Sequence, residues 1–169
     1  MGHFIKSMMF GLLLTGCALL AGCVGASNSS LIGAMSPPYT TFYMLEGEPL
    51  ILEHLRGKNV VVLFWANECN QSHELINELN DYARRRASRR DLAFIAVSLD
   101  KSENLSKLQD RIQFGKLDAL QHSFSGNDLY DEAKVAFGVD SLPSVFVIDP
   151  SGKVVAGGNS FGVVERALQ

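Results

Sequence analysis

The chain has 169 residues, which is enough for one domain with a substantial core. Hydrophobic residues make up 47% and charged residues 20%, proportions that indicate neither a disordered chain nor a polytopic membrane protein. The formal net charge of −3 argues against general nucleic-acid binding, so no nucleic-acid partner is predicted.

Residues 1–22 have the pattern of a secretory signal. Lys6 is followed by the apolar stretch Met8–Leu20, which is too short to span a bilayer comfortably. Small residues then precede Cys23, and this ending resembles a bacterial lipoprotein signal. The resemblance implies that Cys23 is lipidated and becomes the first mature residue, anchoring the protein to a membrane. Two alternatives are cleavage at Cys17, which leaves an apolar core of only about seven residues, and an uncleaved anchor.

The resemblance also bears on localisation, which we expect to be the periplasm-facing side of the bacterial envelope. In bacterial lipoproteins an aspartate after the lipidated cysteine favours the inner membrane. Val24 stands there in this chain, so the outer membrane is favoured. The stretch 23–38 is rich in Gly, Ser, Asn and Pro and predicts a flexible tether, with the folded domain over 39–169.

The folded part alternates segments that predict strands and helices, with no internal repeat and no second domain. The predicted strands are Tyr39–Leu45, Leu50–Leu52, Val60–Ala66, Leu92–Ser98, a short strand within Leu117–Phe124, Ser144–Asp149 and Val154–Ala156. The predicted helices are Glu53–Arg56, Cys69–Arg86, one capped by Ser102, Asn127–Phe137 stopped by Gly138, and Phe161–Leu168. This order predicts an α/β sandwich of three layers, a mixed central sheet flanked by helices.

Cys69 is the candidate nucleophile. It lies between a buried strand and an amphipathic helix, where unsatisfied N–H groups and the positive end of the helix dipole favour a thiolate. Because Cys17 leaves with the signal and Cys23 is lipidated, Cys69 would be the only free thiol of the mature protein, and no intramolecular disulfide could form. The alternative is a buried structural cysteine.

Two motifs give the chain a family resemblance. Gly57-Lys58 precedes the strand that ends in Phe64-Trp65-Ala66-Asn67-Glu68-Cys69-Asn70-Gln71-Ser72, and Leu142-Pro143 precedes a second apolar run. Together they resemble the thioredoxin superfamily, in particular its membrane-anchored thiol–disulfide proteins of the bacterial envelope. The resemblance covers about Tyr39 to Leu168. It implies a thioredoxin-like fold and a cis Pro143 whose neighbouring backbone lies beside the active cysteine and pairs with extended substrate.

The active-site motif departs from the family pattern. Ser72 occupies the place of the second cysteine, so it could donate a hydrogen bond to a Cys69 thiolate but could not resolve a mixed disulfide. Glu68 replaces a frequent tryptophan, and its charge opposes thiolate formation. A decayed site that keeps only the fold is the alternative.

Three other features are candidates for a role at or near the site. Protonated His73, four residues after Cys69, could help hold a thiolate, or the two could form part of a soft-metal site; a solvated helix residue is the alternative. Trp65 is a candidate modulator, although packing is the simpler role. The basic run Arg84-Arg85-Arg86 and Arg89-Arg90 indicates a solvated helix end, with contact to anionic lipid headgroups as the alternative.

Three functional hypotheses follow from these residues. The first is a thiol–disulfide oxidoreductase without a resolving cysteine, with Cys69, Ser72 and Pro143 as its catalytic set. Its partners would be envelope proteins with thiols or disulfides and an external resolving thiol. The second is a non-catalytic interaction module that binds a polypeptide beside Cys69 and Pro143. The third is copper handling through Cys69 and His73. The sequence indicates no cofactor and no resident metal site.

Overall fold

The structure is a computed structural model that describes residues 29–169. The predicted signal peptide, Cys17 and the predicted lipidation site Cys23 lie outside these residues. Within residues 29–169, no helix has the length and apolar character needed to span a membrane.

A five-stranded mixed sheet forms the centre of the domain. Its strands lie in the order β5-β4-β3-β6-β7. The pairs β3–β4 and β4–β5 are parallel, whereas β3–β6 and β6–β7 are antiparallel. The strands are β1 Thr41–Phe42, β2 Leu50–Ile51, β3 Asn59–Trp65, β4 Leu92–Ser98, β5 Gln121–Phe124, β6 Ser144–Ile148 and β7 Val154–Gly158. The short hairpin of β1 and β2 forms a separate two-stranded sheet.

Helices cover both faces of the sheet, which confirms the predicted thioredoxin-like three-layer architecture. The α-helices are α1 Asn70–Arg85, α2 Leu105–Phe114, α3 Glu132–Phe137 and α4 Phe161–Ala167. Single turns of 3-10 helix occur at Ser29–Leu31, Leu52–Leu55, Ser102–Asn104 and Asp128–Tyr130. Strand β3 is buried on both faces because its alternate side chains enter two cores. One core includes α3 and the other includes α1, α2 and α4.

Three local predictions need correction. Ser102 does not cap a long helix; its Oγ donates to Gly126 O at 3.1 Å, and α2 begins only after the 3-10 turn. The helix predicted over Asn127–Phe137 is broken at Asp131, whose carboxylate accepts from Lys134 N and caps α3. The strand predicted over Tyr39–Leu45 is shorter in the structure: β1 covers Thr41–Phe42, and Met44 adds an isolated antiparallel bridge to Ser123 of β5. The stop at Gly138 is confirmed, with φ of 61°.

The part of the predicted tether that the structure describes is packed on the domain. Gly33 N donates to Val154 O and Ser36 N donates to Gly152 O, each at 2.8 Å, so this segment runs along the β7 edge. Ser36 is buried, and Leu31 packs against the core that contains α3. Backbone hydrogen bonds and apolar burial hold residues 31–36, and the folded region therefore begins before Tyr39.

Candidate functional site

Cys69 lies between the end of the central strand β3 and the start of the first long helix, α1. It is the N-cap residue of α1, with extended backbone at φ −95° and ψ 104°. Cys69 N donates to Ala66 O at 3.1 Å, and Ser72 N donates to Cys69 O at 2.9 Å. These bonds close a tight turn between β3 and α1 and leave the thiol half-buried. The thiol is therefore held at the positive end of the α1 dipole.

The loop before β6 forms the second side of the site. The Leu142–Pro143 bond is cis, as the family resemblance implied. Leu142 O lies 3.9 Å from Cys69 Sγ, within reach of a weak S–H···O hydrogen bond. The pairing of Phe64 with Ser144 brings this loop beside the end of β3. Strand register therefore brings together two motifs that are more than seventy residues apart.

Ser72 is fully buried in the first turn of α1. Its Oγ has no hydrogen-bond partner among the residues that the structure describes, so the anticipated bond to Cys69 is not formed in this structure. The hydroxyl is a donor left without an acceptor in an apolar environment, which is an unfavourable state. Such a group gains most from any acceptor that comes within reach.

The His73 imidazole contacts the loop that precedes Cys69. Its Nε2 is 2.7 Å from Asn67 O, and because a carbonyl can only accept, Nε2 carries the hydrogen. One ring nitrogen is thus used to hold the loop before Cys69. Across residues 29–169 no cluster of three His, Cys, Asp or Glu side chains could hold a metal ion. Cys69 and His73 therefore have no third ligand of these types within the described chain.

Asp100 is a buried residue of the site that sequence reasoning missed. It follows β4, and both carboxylate oxygens accept from Asn67 N, at 3.2 and 3.0 Å. Ser98 Oγ also donates to Asp100 at 2.7 Å. The carboxylate thereby fixes the loop two residues before Cys69. The available signal was an acid directly after an apolar strand, at the same sheet edge as Cys69.

Two predicted modulators take different places. Glu68 is exposed in the loop next to Cys69. Trp65 is fully buried, with its indole Nε1 unpartnered among residues 29–169, and packs in the core that contains α1. Trp65 therefore belongs to the core next to the site and does not line the site.

A family model for thioredoxin-like proteins matches residues 57–154, more than half of the chain and including both motifs of the site. The chain belongs to the thioredoxin-like family. No curated protein matches the chain significantly.

Solved structures give the same fold. The chain is similar to a thiol–disulfide oxidoreductase from Bacteroides fragilis, at 22% identity and a TM-score of 0.69, covering 79% of this chain and 96% of that one. It is also similar to the thioredoxin domain of a thiol–disulfide oxidoreductase from Bacteroides vulgatus, at 20% identity and 0.67, covering 82% and 98%. A secreted disulfide oxidoreductase of Mycobacterium tuberculosis matches at 17% and 0.57, covering 69% and 80%. At these identities the likeness establishes the fold.

A partly buried histidine away from the site predicts a pH-dependent stability for this thioredoxin-like domain. Burial lowers the pKa of His122 below 6.5, against weaker opposing effects of a hydrogen bond to Leu117 O and of Glu46. Nε2 donates to that carbonyl at 2.8 Å, so a second proton would have to go to Nδ1, which is buried and has no hydrogen-bond partner among residues 29–169. The folded state therefore prefers neutral His122.

We expect the free energy of unfolding to fall as pH decreases below the unfolded pKa of His122. Between the two pKa values the unfolded chain binds more protons, and stability then rises with pH. Urea denaturation between pH 7.5 and 5 measures the slope. His122→Gln keeps a donor for Leu117 O and should flatten the slope of unfolding free energy against pH. Replacing the exposed His54 with Gln should leave that slope unchanged. Equal slopes for wild type and His122→Gln would contradict the assignment.

Proposed function

We propose that this chain is a membrane-anchored thiol–disulfide protein of the bacterial envelope that works through a single cysteine. One observation carries the proposal: the only cysteine within residues 29–169 is half-buried at the N-terminus of α1 and faces the carbonyl before a cis proline. Relatives in fold are named thiol–disulfide oxidoreductases, which supports the same chemistry.

The first step is attack on a substrate disulfide. The Cys69 thiolate forms a bond to one sulfur of R–S–S–R′, and the electron pair of the broken S–S bond leaves with R′ as a thiolate. The product is a Cys69–S–S–R mixed disulfide. The helix N-terminus favours the anionic nucleophile, and Asp100 positions the preceding loop so that the thiol keeps its place.

The second step needs an external thiol. A thiolate R″–S⁻ attacks the mixed disulfide at the sulfur of R, which forms R–S–S–R″ and returns Cys69 as a thiolate. Ser72 cannot perform this second attack, because disulfide exchange requires a thiolate and a serine side chain has none. We infer that its buried hydroxyl, which has no partner in the described part of the chain, donates a hydrogen bond to the Cys69 thiolate when that anion forms.

Adduct trapping in a membrane extract tests the proposal. Cells are acid-quenched and alkylated, and non-reducing gels are probed for the protein. Wild type should give thiol-sensitive adducts that map to Cys69, and Cys69→Ala should give none. Adducts that persist in Cys69→Ala, or a wild type without adducts under mild oxidation, would contradict it.

A non-catalytic binding module is the second candidate. The observation that favours it is that Ser72 replaces a thiol at a fully buried position, so the described domain cannot complete a dithiol cycle. On this view a polypeptide would bind the loop of Leu142 and Pro143 without reacting. A partner that is captured equally well by wild type and Cys69→Ala after denaturant-free washing would favour binding over redox exchange.

Membrane anchoring is a separate part of the proposal. Replacing Cys23 with Ala should release the protein from membranes or leave an unprocessed precursor, because the acyl chain and the cleavage site are both lost. Fractionation and mass measurement of the N-terminus check this, with Cys17→Ala as the matched control. A Cys23→Ala chain that is processed and localised like wild type, with Cys17→Ala defective, would move the site to Cys17.

A further inference from the structure

Basic side chains from three separate segments meet at one edge of the sheet. Strands β3, β4 and β7 begin there, β6 ends there, and α1 ends beside it. We call this surface the basic edge and define it by Arg56, Lys58, Arg85, Arg86, Arg89, Arg90 and Lys153. Cys69 lies at the opposite edge, where β3 ends.

The basic edge carries more positive charge than its acids neutralise. The acids beside it are Glu53, Asp91 and Asp149, which leaves a formal excess of four positive charges in a chain with a net charge of −3. Arg56 pairs with Glu53 at 2.9 Å and Arg89 with Asp91 at 2.5 Å. The pKa of Asp91 falls to about 2, chiefly through its hydrogen bond to Arg89, so that pair stays ionised.

Four of the seven cations are exposed and have no ion pair among the described residues. They are Lys58, Arg85, Arg90 and Lys153. Arg86 lies over the Tyr82 ring at 3.5 Å and keeps its charge. At the opposite edge, exposed Glu68 and Asp140 lie in the two loops that form the Cys69 site. Unpaired positive charge thus lies at the basic edge and exposed acids lie at the Cys69 edge, which gives the domain a charge asymmetry along the strand direction.

The proposed anchor would keep this polar domain near a bilayer. Residues 29–38 are packed on the domain, so only residues 24–28 separate Cys23 from the described chain. Six extended steps from Cys23 to Ser29 reach at most about 20 Å. Electrostatic attraction decays over about 8–10 Å at physiological ionic strength, so a domain on so short a tether samples the charged surface continually.

We propose that the basic edge binds an anionic phospholipid surface and turns the Cys69 edge away from the bilayer. This rests on the proposed anchoring through Cys23 and not on the redox chemistry. Each Lys or Arg held near an anionic surface strengthens binding about fivefold, so four unpaired cations can orient a domain that the acyl chain already holds in place. Cys69 would then face soluble envelope proteins.

Hydrogen exchange of the full-length lipidated protein in vesicles tests the proposal. One set contains phosphatidylcholine alone and the other contains 30% phosphatidylglycerol. We expect amides in 84–91 and 149–153 to exchange at least about fivefold more slowly with phosphatidylglycerol. Amides in 67–73 and 140–143 should not change. The protection should be lost in high salt, because the attraction is screened.

Charge variants provide the matched control. Lys58→Gln, Arg90→Gln and Lys153→Gln together should abolish the phosphatidylglycerol-dependent protection. Lys101→Gln, Lys107→Gln and Lys134→Gln remove the same charge outside the basic edge and should leave it intact. Equal loss in both triple variants would mean that net charge, not the basic edge, is responsible, and would overturn the proposal.

Three further outcomes would also overturn it: equal exchange in both vesicle types, protection at 67–73 instead, or protection by soluble polyglutamate but not by phosphatidylglycerol. The last would assign the basic edge to an acidic protein. Failure of anchoring is distinguishable, because the protein would then be absent from sedimented phosphatidylcholine vesicles. None of these readouts depends on Cys69 reactivity.

Discussion

Replacing Ser72 with cysteine should convert a protein that accumulates mixed disulfides into one that releases them. Ser72 is three residues after Cys69, in the first turn of the same helix. A thiol there could attack the Cys69 mixed disulfide from within the molecule. Because well-placed intramolecular attack far outpaces attack by millimolar external thiol, we expect adduct lifetimes to shorten by about a hundredfold or more. Gel analysis of trapped adducts and turnover of insulin disulfides measure the change.

Ser72→Ala is the control for this variant. It removes the hydroxyl without adding a thiol, so adducts should persist as in wild type. The substitution also removes the buried Oγ, which has no hydrogen-bond partner within residues 29–169, so the free energy of unfolding should not fall. If Ser72→Cys and Ser72→Ala gave adducts of equal lifetime, the residue would not face the reacting sulfur and the mechanism would be wrong.

Asp100→Ala should weaken both the fold and the site. The carboxylate is 4% exposed and accepts from Asn67 N and Ser98 Oγ. Its removal leaves two donors unsatisfied, each costing about 1–3 kcal/mol, so we expect a loss of about 2–6 kcal/mol in the free energy of unfolding. The loop before Cys69 should also loosen, which slows mixed-disulfide formation. Denaturant titration and the rate of Cys69 modification are the two measurements.

Asp149→Ala is a matched comparison at the other edge of the sheet. Asp149 Oδ1 also accepts from three donors, Ser151 N, Ser151 Oγ and Lys153 N. This variant should lose some stability but leave the reactivity of Cys69 unchanged. Asp100→Asn retains an accepting oxygen and should be milder than Asp100→Ala in both respects. A Cys69 rate that falls equally in Asp149→Ala and Asp100→Ala would show a general effect of destabilisation.

The local sequence was sufficient to predict the central strands of the sheet and the start of the helix that follows β3. Continuous apolar runs predicted β3 and β4 because both faces of these strands are covered, and Leu92–Ser98 was predicted with its observed bounds. The position of Cys69 at the start of a helix followed from the change of periodicity after Trp65. The family resemblance, rather than local sequence, supplied the place of Pro143 beside the thiol.

Features that depend on tertiary contacts were not predictable in the same way. The segment around Ser36 has the composition of a tether, yet the β7 edge offers it hydrogen-bond partners that no local pattern reveals. Serine commonly caps helices, but the Ser102 hydroxyl instead donates to Gly126 O, in a loop distant in sequence. Asp100 became part of the site because parallel β3 and β4 end at the same edge, which brings its carboxylate to Asn67.

The rate at which Cys69 reacts with a neutral disulfide shows whether folding activates this thiol. The mature lipidated protein in detergent is treated with dithiodipyridine at pH 7, folded and in concentrated urea, and adduct formation is followed by absorbance. We expect the folded protein to react at least about tenfold faster, because the α1 N-terminus favours the thiolate only when the helix is formed. A folded protein that reacts more slowly than the unfolded chain would contradict the proposed chemistry, since Cys69 would then be an inert, partly buried thiol.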